Sequence, residues 1–228
     1  MDVINLWGDL SRYRLIIMPA YNLMSQEETE ILKNFVSQGG TLILTFRSGT
    51  RDKSNVMTDQ TFPGCLKELA GIEIHDFNAL SPEETTGIMV KGTPVKSSQW
   101  NDIITLKTAR SLGEYTEMFY TGKPGVTVNS FGKGTVYYVG CDLDERGMEE
   151  LASISLGGIQ FSRHLPAMPE GVELIVREKN NKTYFMIMNH NDFEVNLELG
   201  GDYQDLLKEK SFTSEDSLEP FGTLILTS

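Results

Sequence analysis

The sequence predicts an α/β domain followed by a small antiparallel β domain, and three observations carry that prediction. Two unbroken apolar runs, RLIIMPA (14–20) and TLILTF (41–46), flank an amphipathic helical stretch. Continuous rather than alternating hydrophobicity marks strands covered on both faces, as in a parallel sheet. From residue 80 to 130 short apolar stretches are split by Gly, Pro and Ser, the pattern of antiparallel hairpins. Beyond RHLPAMPEG (163–171), which holds two prolines and a glycine, VELIV and VNLEL alternate with period two. The domains are placed at 1–162 and 163–228.

Each element has a local reason. Val3–Leu6 is expected as a short strand. The run 14–20 is a strand closed by Pro19. SQEETEILKNFVSQGG is a helix: Ser25 with Glu28 forms a capping box, and acids crowd the positive end of its dipole. Ile31, Leu32, Phe35 and Val36 keep helical spacing, and Gly39–Gly40 stop it. TLILTF is the next strand, completing a βαβ unit. TFPGCLKELAGIEI repeats the theme more weakly, with Pro63 opening a helix, Gly71 ending it and a short strand over Ile72–Ile74. GTVYYVGCDL is a strand and DERGMEELASISLGG a helix. A final domain this small buries only about 60% of its unfolded surface, so docking on a neighbour is expected.

Composition excludes several classes. Hydrophobic residues make up 39% and charged ones 23%, ordinary for a globular chain. The net charge of −12 removes the basic face that a nucleic-acid partner requires. It is spread evenly, −6 over residues 1–160 (20 acids, 14 bases) and −6 over the rest (12 acids, 6 bases). Cys65 and Cys141 are the only cysteines and form no CxxC, which argues against a disulfide scaffold or a zinc site. No apolar run approaches the roughly 20 residues of a membrane span, and no signal peptide is visible. A reducing compartment fits, with the cytoplasm as the expected location.

Catalytic constellations are hard to assemble. Cys141 follows a strand and precedes a helix, as a nucleophile elbow requires. Asp142, Leu143 and Asp144 follow it where small residues are needed, and nearby anions raise a thiol pKa. A small buried thiol is the simpler reading. His75, His164 and His190 lack partners at metal-ligand spacing and read as structural. FGKG lacks the phosphate-loop spacing and is followed by a strand, so it reads as a hairpin turn. DLDERG lacks the spacing of a calcium loop; Asp142 or Asp144 reads as a helix N-cap, with Glu145 favouring the dipole. No catalytic, cofactor-binding or metal-binding residue is assigned, and no cofactor is expected.

The order of motifs is specific. DLSRYRLIIMPAYNLMSQEETEILKNFVSQGGTLILTFRSG, then FPG (62–64), then GKP…FGKG (122–134) and MIMNHNDFEVNLEL resemble the region after the catalytic barrel in glycoside hydrolase family 42 β-galactosidases. The resemblance covers nearly the whole chain. It implies a class I glutamine-amidotransferase-like (flavodoxin-like) α/β domain that mediates trimer formation, followed by a small antiparallel β-sandwich domain. The parent it implies hydrolyses terminal β-D-galactosides with retention, using two glutamates of a (β/α)₈ barrel. That barrel and the family's opening helix have no counterpart here, so the chain looks like an inactive C-terminal fragment. The nucleophile motif of true amidotransferases is missing as well.

Ligands bind past the carboxyl ends of strands in open α/β sheets. With no nucleophile there, the loop that follows TLILTF is expected to be a docking surface. Arg47 offers a planar fork suited to a carboxylate, Ser48 and Gly49 let the chain turn closely, and Phe62 and Pro63 end the segment. The expected partners are the missing barrel or a neighbouring copy in a homo-oligomer, a trimer in the parent, with neither nucleic acid nor membrane. The competing reading is a stand-alone carbohydrate- or protein-binding module, for which Tyr115, Phe119 and Tyr120 are the aromatic cluster to check.

Overall fold

Leu42 and Leu44 face one apolar core and Ile43 faces another, so the run TLILT is covered on both sides as its continuous hydrophobicity requires. The structure, a computed structural model, describes residues 2–157, 168–212 and 217–227. The chain divides into one unit over Ile4–Gln160 and another over Met1–Val3 with Phe161–Ser228. The expected boundary at 162/163, and His164, lie outside the described residues.

The larger unit runs β1 (Leu15–Met18), α1 (Gln26–Ser37), β2 (Thr41–Thr45), a 3₁₀ turn (Gly64–Leu66) leading into α2 (Lys67–Ala70), then β3 (Ile72–Ala79), β4 (Thr86–Val90) and β5 (Thr93–Leu106). It continues through β6 (Arg110–Tyr115), β7 (Pro124–Phe131), β8 (Gly134–Val139), β9 (Cys141–Leu143) and α3 (Glu145–Leu156). Its sheet has the order β1-β2-β8-β7-β6-β4-β5-β3, with β9 paired to β5. Pairing is parallel for β1 with β2 and β2 with β8, and antiparallel elsewhere. The sheet is therefore mixed, and only its first three strands follow a parallel pattern.

α1 begins where its capping box places it. Ser25 Oγ accepts from the Glu28 amide at 3.2 Å, and Glu28 Oε2 accepts from the Ser25 amide at 3.0 Å. Two of the otherwise orphaned first-turn donors are satisfied reciprocally. Leu32 and Val36, both 0% exposed, are its buried stripe. α2 ends at Gly71, whose φ of 68° is the left-handed cap that glycine adopts without penalty. α3 starts at Asp144, whose carboxylate accepts from the Gly147 amide at 2.9 Å, so the cap is Asp144; Asp142 lies on β9 and accepts from Ser98 instead. FGKG is the β7–β8 hairpin turn, with Gly132 at φ 59°.

Three expectations change. GTVYYVGCDL, expected as one strand, divides at Gly140 into β8, paired with β2 and β7, and β9, paired with β5. Residues 3–6 form no strand; a turn begins only at Leu6, which packs into the core with Ile4 against it. The strand expected over Ile72–Ile74 extends to Ala79, because a register shift between Ile74 and Asp76 lets it keep pairing with β5 through polar residues.

The smaller unit contains β10 (Val172–Lys179), β11 (Lys182–Asn189), β12 (Val195–Asn196), β13 (Tyr203–Asp205), β14 (Lys210–Phe212), β15 (Ser217–Leu218) and β16 (Thr223–Thr227). A five-stranded antiparallel sheet, β10-β11-β16-β13-β14, accompanies the β12–β15 pair. Phe185 and Ile187 alternate inward from β11 and share a core with Val195 and Leu218 of the small pair. Asn189, 2% exposed, ties the turns together by donating through Nδ2 to the carbonyls of Phe193, Leu218 and Glu219.

Candidate functional site

The end of β2 sets the site. The Phe46 amide donates to the Val139 carbonyl at 2.7 Å, continuing the ladder one step beyond the strand. Arg47 then takes φ 65°, a left-handed conformation that costs a non-glycine residue about 1–2 kcal/mol. The chain turns there and leaves the Arg47 side chain exposed. Ser48 is 0% exposed and accepts from the Tyr21 amide through Oγ at 3.3 Å. Gly49, at φ 68°, approaches so closely that a Cβ would lie 2.5 Å from the Pro63 carbonyl oxygen. Its amide donates to the Tyr21 carbonyl at 3.0 Å.

The five residues of the expected docking set differ in burial within this chain. Ser48, Gly49 and Pro63 are buried inside the unit and Phe62 is half-buried. The first three shape the loop. Only Arg47 of the five projects outward.

What Arg47 projects over was missed in the sequence. Its guanidinium carbon lies 5.2 Å from the centroid of the Trp100 ring, within cation–π range. Phe77 stacks on Trp100 at 4.2 Å and 16°, and Phe46 lies nearly parallel at 6.5 Å. Strand register explains the grouping. Trp100 pairs with Ala79 and Asp102 with Phe77, so all four residues share one face of the β3–β5 ladder, and Phe77 is the diagonal neighbour of Trp100. Beside them opens a cavity of about 550 Å³, lined by Phe46, Arg47, Leu80, Pro82 and Trp100 among others.

Asp102 lies beneath this shelf, 4% exposed. Its carboxylate accepts from Trp100 Nε1 and from the Tyr138 hydroxyl, each at 2.8 Å. Burial pushes the Asp102 carboxyl up to about 6, and the two hydrogen bonds pull against that rise. Burial in turn raises the Tyr138 hydroxyl, and the adjacent Asp102 charge raises it further. The carboxylate thus fixes the indole from inside and leaves the outer edge of the ring apolar. A Trp followed two residues later by an Asp on one strand was the signal available in the sequence.

The other candidates remain structural. Cys141 is 1% exposed and lies within β9, paired to β5, rather than on an elbow. Burial foremost, then the Asp102 charge, raises its thiol, with Asp142 a smaller contributor; this is the wrong direction for a nucleophile. His75 and His190 sit on the surface beside Glu73 and Glu173, at 3.3 and 3.1 Å. Tyr115 and Tyr120 are each 1% exposed, so only Phe119 of that trio reaches solvent and it offers no flat aromatic platform. Among the described residues no three His, Cys, Asp or Glu side chains converge as a metal site, and no helix is long and apolar enough to cross a membrane.

Comparison with known proteins gives the site its context. Residues 1–158 match the profile of the β-galactosidase trimerisation domain, and residues 171–228 that of the β-galactosidase C-terminal domain. The chain is 33% identical to β-galactosidase BgaA of Planococcus sp. (strain 'SOS Orange') over 99% of its length, and 34% identical to BgaA of Clostridium cellulovorans over the same share. It spans about a third of either relative, 34% in both cases. The crystal structure of β-galactosidase from Bacillus circulans sp. alkalophilus superposes with a TM-score of 0.91 at 30% identity, over 99% of this chain and 34% of that one. The β-galactosidase of Rahnella sp. R3 gives 0.89 at 29% identity, over 100% and 34%.

Proposed function

The chain belongs to the glycoside hydrolase family 42 β-galactosidases, over their trimerisation and C-terminal domains, and from that premise we propose that its own role is assembly without catalysis. In this reading it holds catalytic barrels around a three-fold axis, and the assembled enzyme cleaves terminal β-D-galactosides with retention. Both catalytic glutamates belong to the barrel, and no residue here takes their place. A ring of this kind needs a heterologous contact whose rotation closes.

The observation that carries the reading is the match of residues 1–158 to a trimerisation domain, joined to an outward-facing Arg47 at the carboxyl edge of the parallel strands. The loop 47–64 forms part of the contact with the barrel or a neighbouring copy, with Ser48, Gly49 and Pro63 as its scaffold and Arg47 as its tip. The parallel segment β1-β2-β8 with α1 is the amidotransferase-like remnant of the fold, and the smaller unit is a β-sandwich. Two free thiols, Cys65 and Cys141, suit a reducing cytoplasm.

A chromogenic β-galactoside assay of the purified chain, run beside light scattering, tests this reading. No turnover and a trimeric mass are expected. Galactoside cleavage by the chain itself, free of host enzyme, would overturn it.

A further inference from the structure

We propose that the Phe46–Trp100–Phe77 stack, capped by Arg47, is the anchor at which a second copy of this chain docks, presenting a carboxylate to Arg47 beside an apolar side chain that enters the adjoining cavity. This rests on the assembly reading and adds the residues and the chemistry of the contact. The indole is immobilised before any partner arrives, because its N–H is already spent on buried Asp102 at 2.8 Å. Phe77 is 44% exposed although it is stacked. A fixed Trp beside an Arg and apolar rings is the composition of an interface hot spot, where little side-chain entropy remains to be lost.

Charge selects the partner. Among the described residues Arg47 has no carboxylate within ion-pair distance, and none of the side chains lining the cavity is acidic. The chain as a whole carries 32 acids against 20 bases, so a second copy is a ready source of the missing carboxylate. That carboxylate must come from a different part of the copy's surface. A contact of the shelf with itself would oppose two Arg47 side chains, and like charges brought together cost several kcal/mol. The contact is therefore head-to-tail, the arrangement that closes into a ring. A saccharide fits less well: a pyranose stacks on a bare ring face, whereas the indole already carries Phe77 and Arg47.

Sedimentation velocity on the full chain and three variants tests this. Trp100→Ala and Arg47→Glu should each weaken self-association at least about tenfold, with circular dichroism verifying that they fold. Phe119→Ser, altering an aromatic that is 77% exposed on a different loop, should associate like the parent. Folded Trp100→Ala and Arg47→Glu variants that associate like the parent would overturn the shelf while leaving assembly intact. A parent chain that stays monomeric at every concentration would refute both the second-copy contact and self-assembly. Saturable quenching of Trp100 fluorescence by lactose, with association unaffected, would assign the shelf to a sugar and overturn the proposal.

Discussion

Asp102 is the residue on which the outer surface depends. Its carboxyl is raised by burial to about 6 in the folded chain, against an ordinary 3.8. A group raised in this way favours the folded state when protonated. Its stabilising share is complete below about pH 4 and is lost as pH rises through about 6. Thermal melts between pH 4 and 7 should show that decline, and Asp102→Asn should flatten it. The amide can still accept from Trp100, and the Tyr138 hydroxyl can turn to accept from the new NH₂, so the variant should fold. Gly49 makes the opposite kind of prediction. Gly49→Ala at φ 68°, with the new Cβ 2.5 Å from the Pro63 carbonyl, should cost more than the roughly 1–2 kcal/mol of a left-handed alanine, read as a lowered urea midpoint. Arg47 occupies a similar conformation but is exposed. Arg47→Ala should change stability by no more than about 1 kcal/mol, the size of an exposed cation–π contact, while reducing association.

At the scale of the element, α1 shows how closely sequence and structure agree when the signals are local. Ser25, Glu28 and the stripe of Leu32 and Val36 are all visible in one linear stretch, and they place the helix within a residue. Glu28 has a second task that the sequence does not reveal. Burial pushes its carboxyl up, but hydrogen bonds from Lys53 at 2.6 Å, the Ser25 amide and the Tyr21 hydroxyl outweigh that and hold it below the ordinary value. Glu28→Ala should therefore cost about 1.5–3 kcal/mol, as loss of hydrogen bonds to a charged group does, measured by chemical unfolding. Ser25→Ala should cost about 1 kcal/mol. β5 shows the reverse situation. Its 14 residues read as fragments because TPVKSSQW mixes proline and polar residues, and because the register shifts between Ser98 and Asn101 where Gln99 takes φ 41°. A bulge offsets the period of two, so Trp100 could not be assigned to a face, and the shelf stayed hidden.

For the whole molecule, the two-part organisation was legible because the composition of the strands changes along the chain, from apolar runs to alternation. The sheet order was not. β8 lies parallel to β2 although about 90 residues separate them, and such pairing is fixed by which apolar faces must be covered together, not by any local stretch. The expected docking set had the same limit. Arg47 could be read as a strand-end residue, but the burial of Ser48, Gly49 and Pro63 depends on Tyr21 and on the segment that follows, which the fold brings back from elsewhere. On the proposed assembly reading, the chain joins copies and does not itself cut sugars. Sedimentation equilibrium of the purified 228-residue chain tests this most directly. A species of three times the monomer mass that dissociates on dilution is expected; a single monomeric species across the full concentration range would refute assembly.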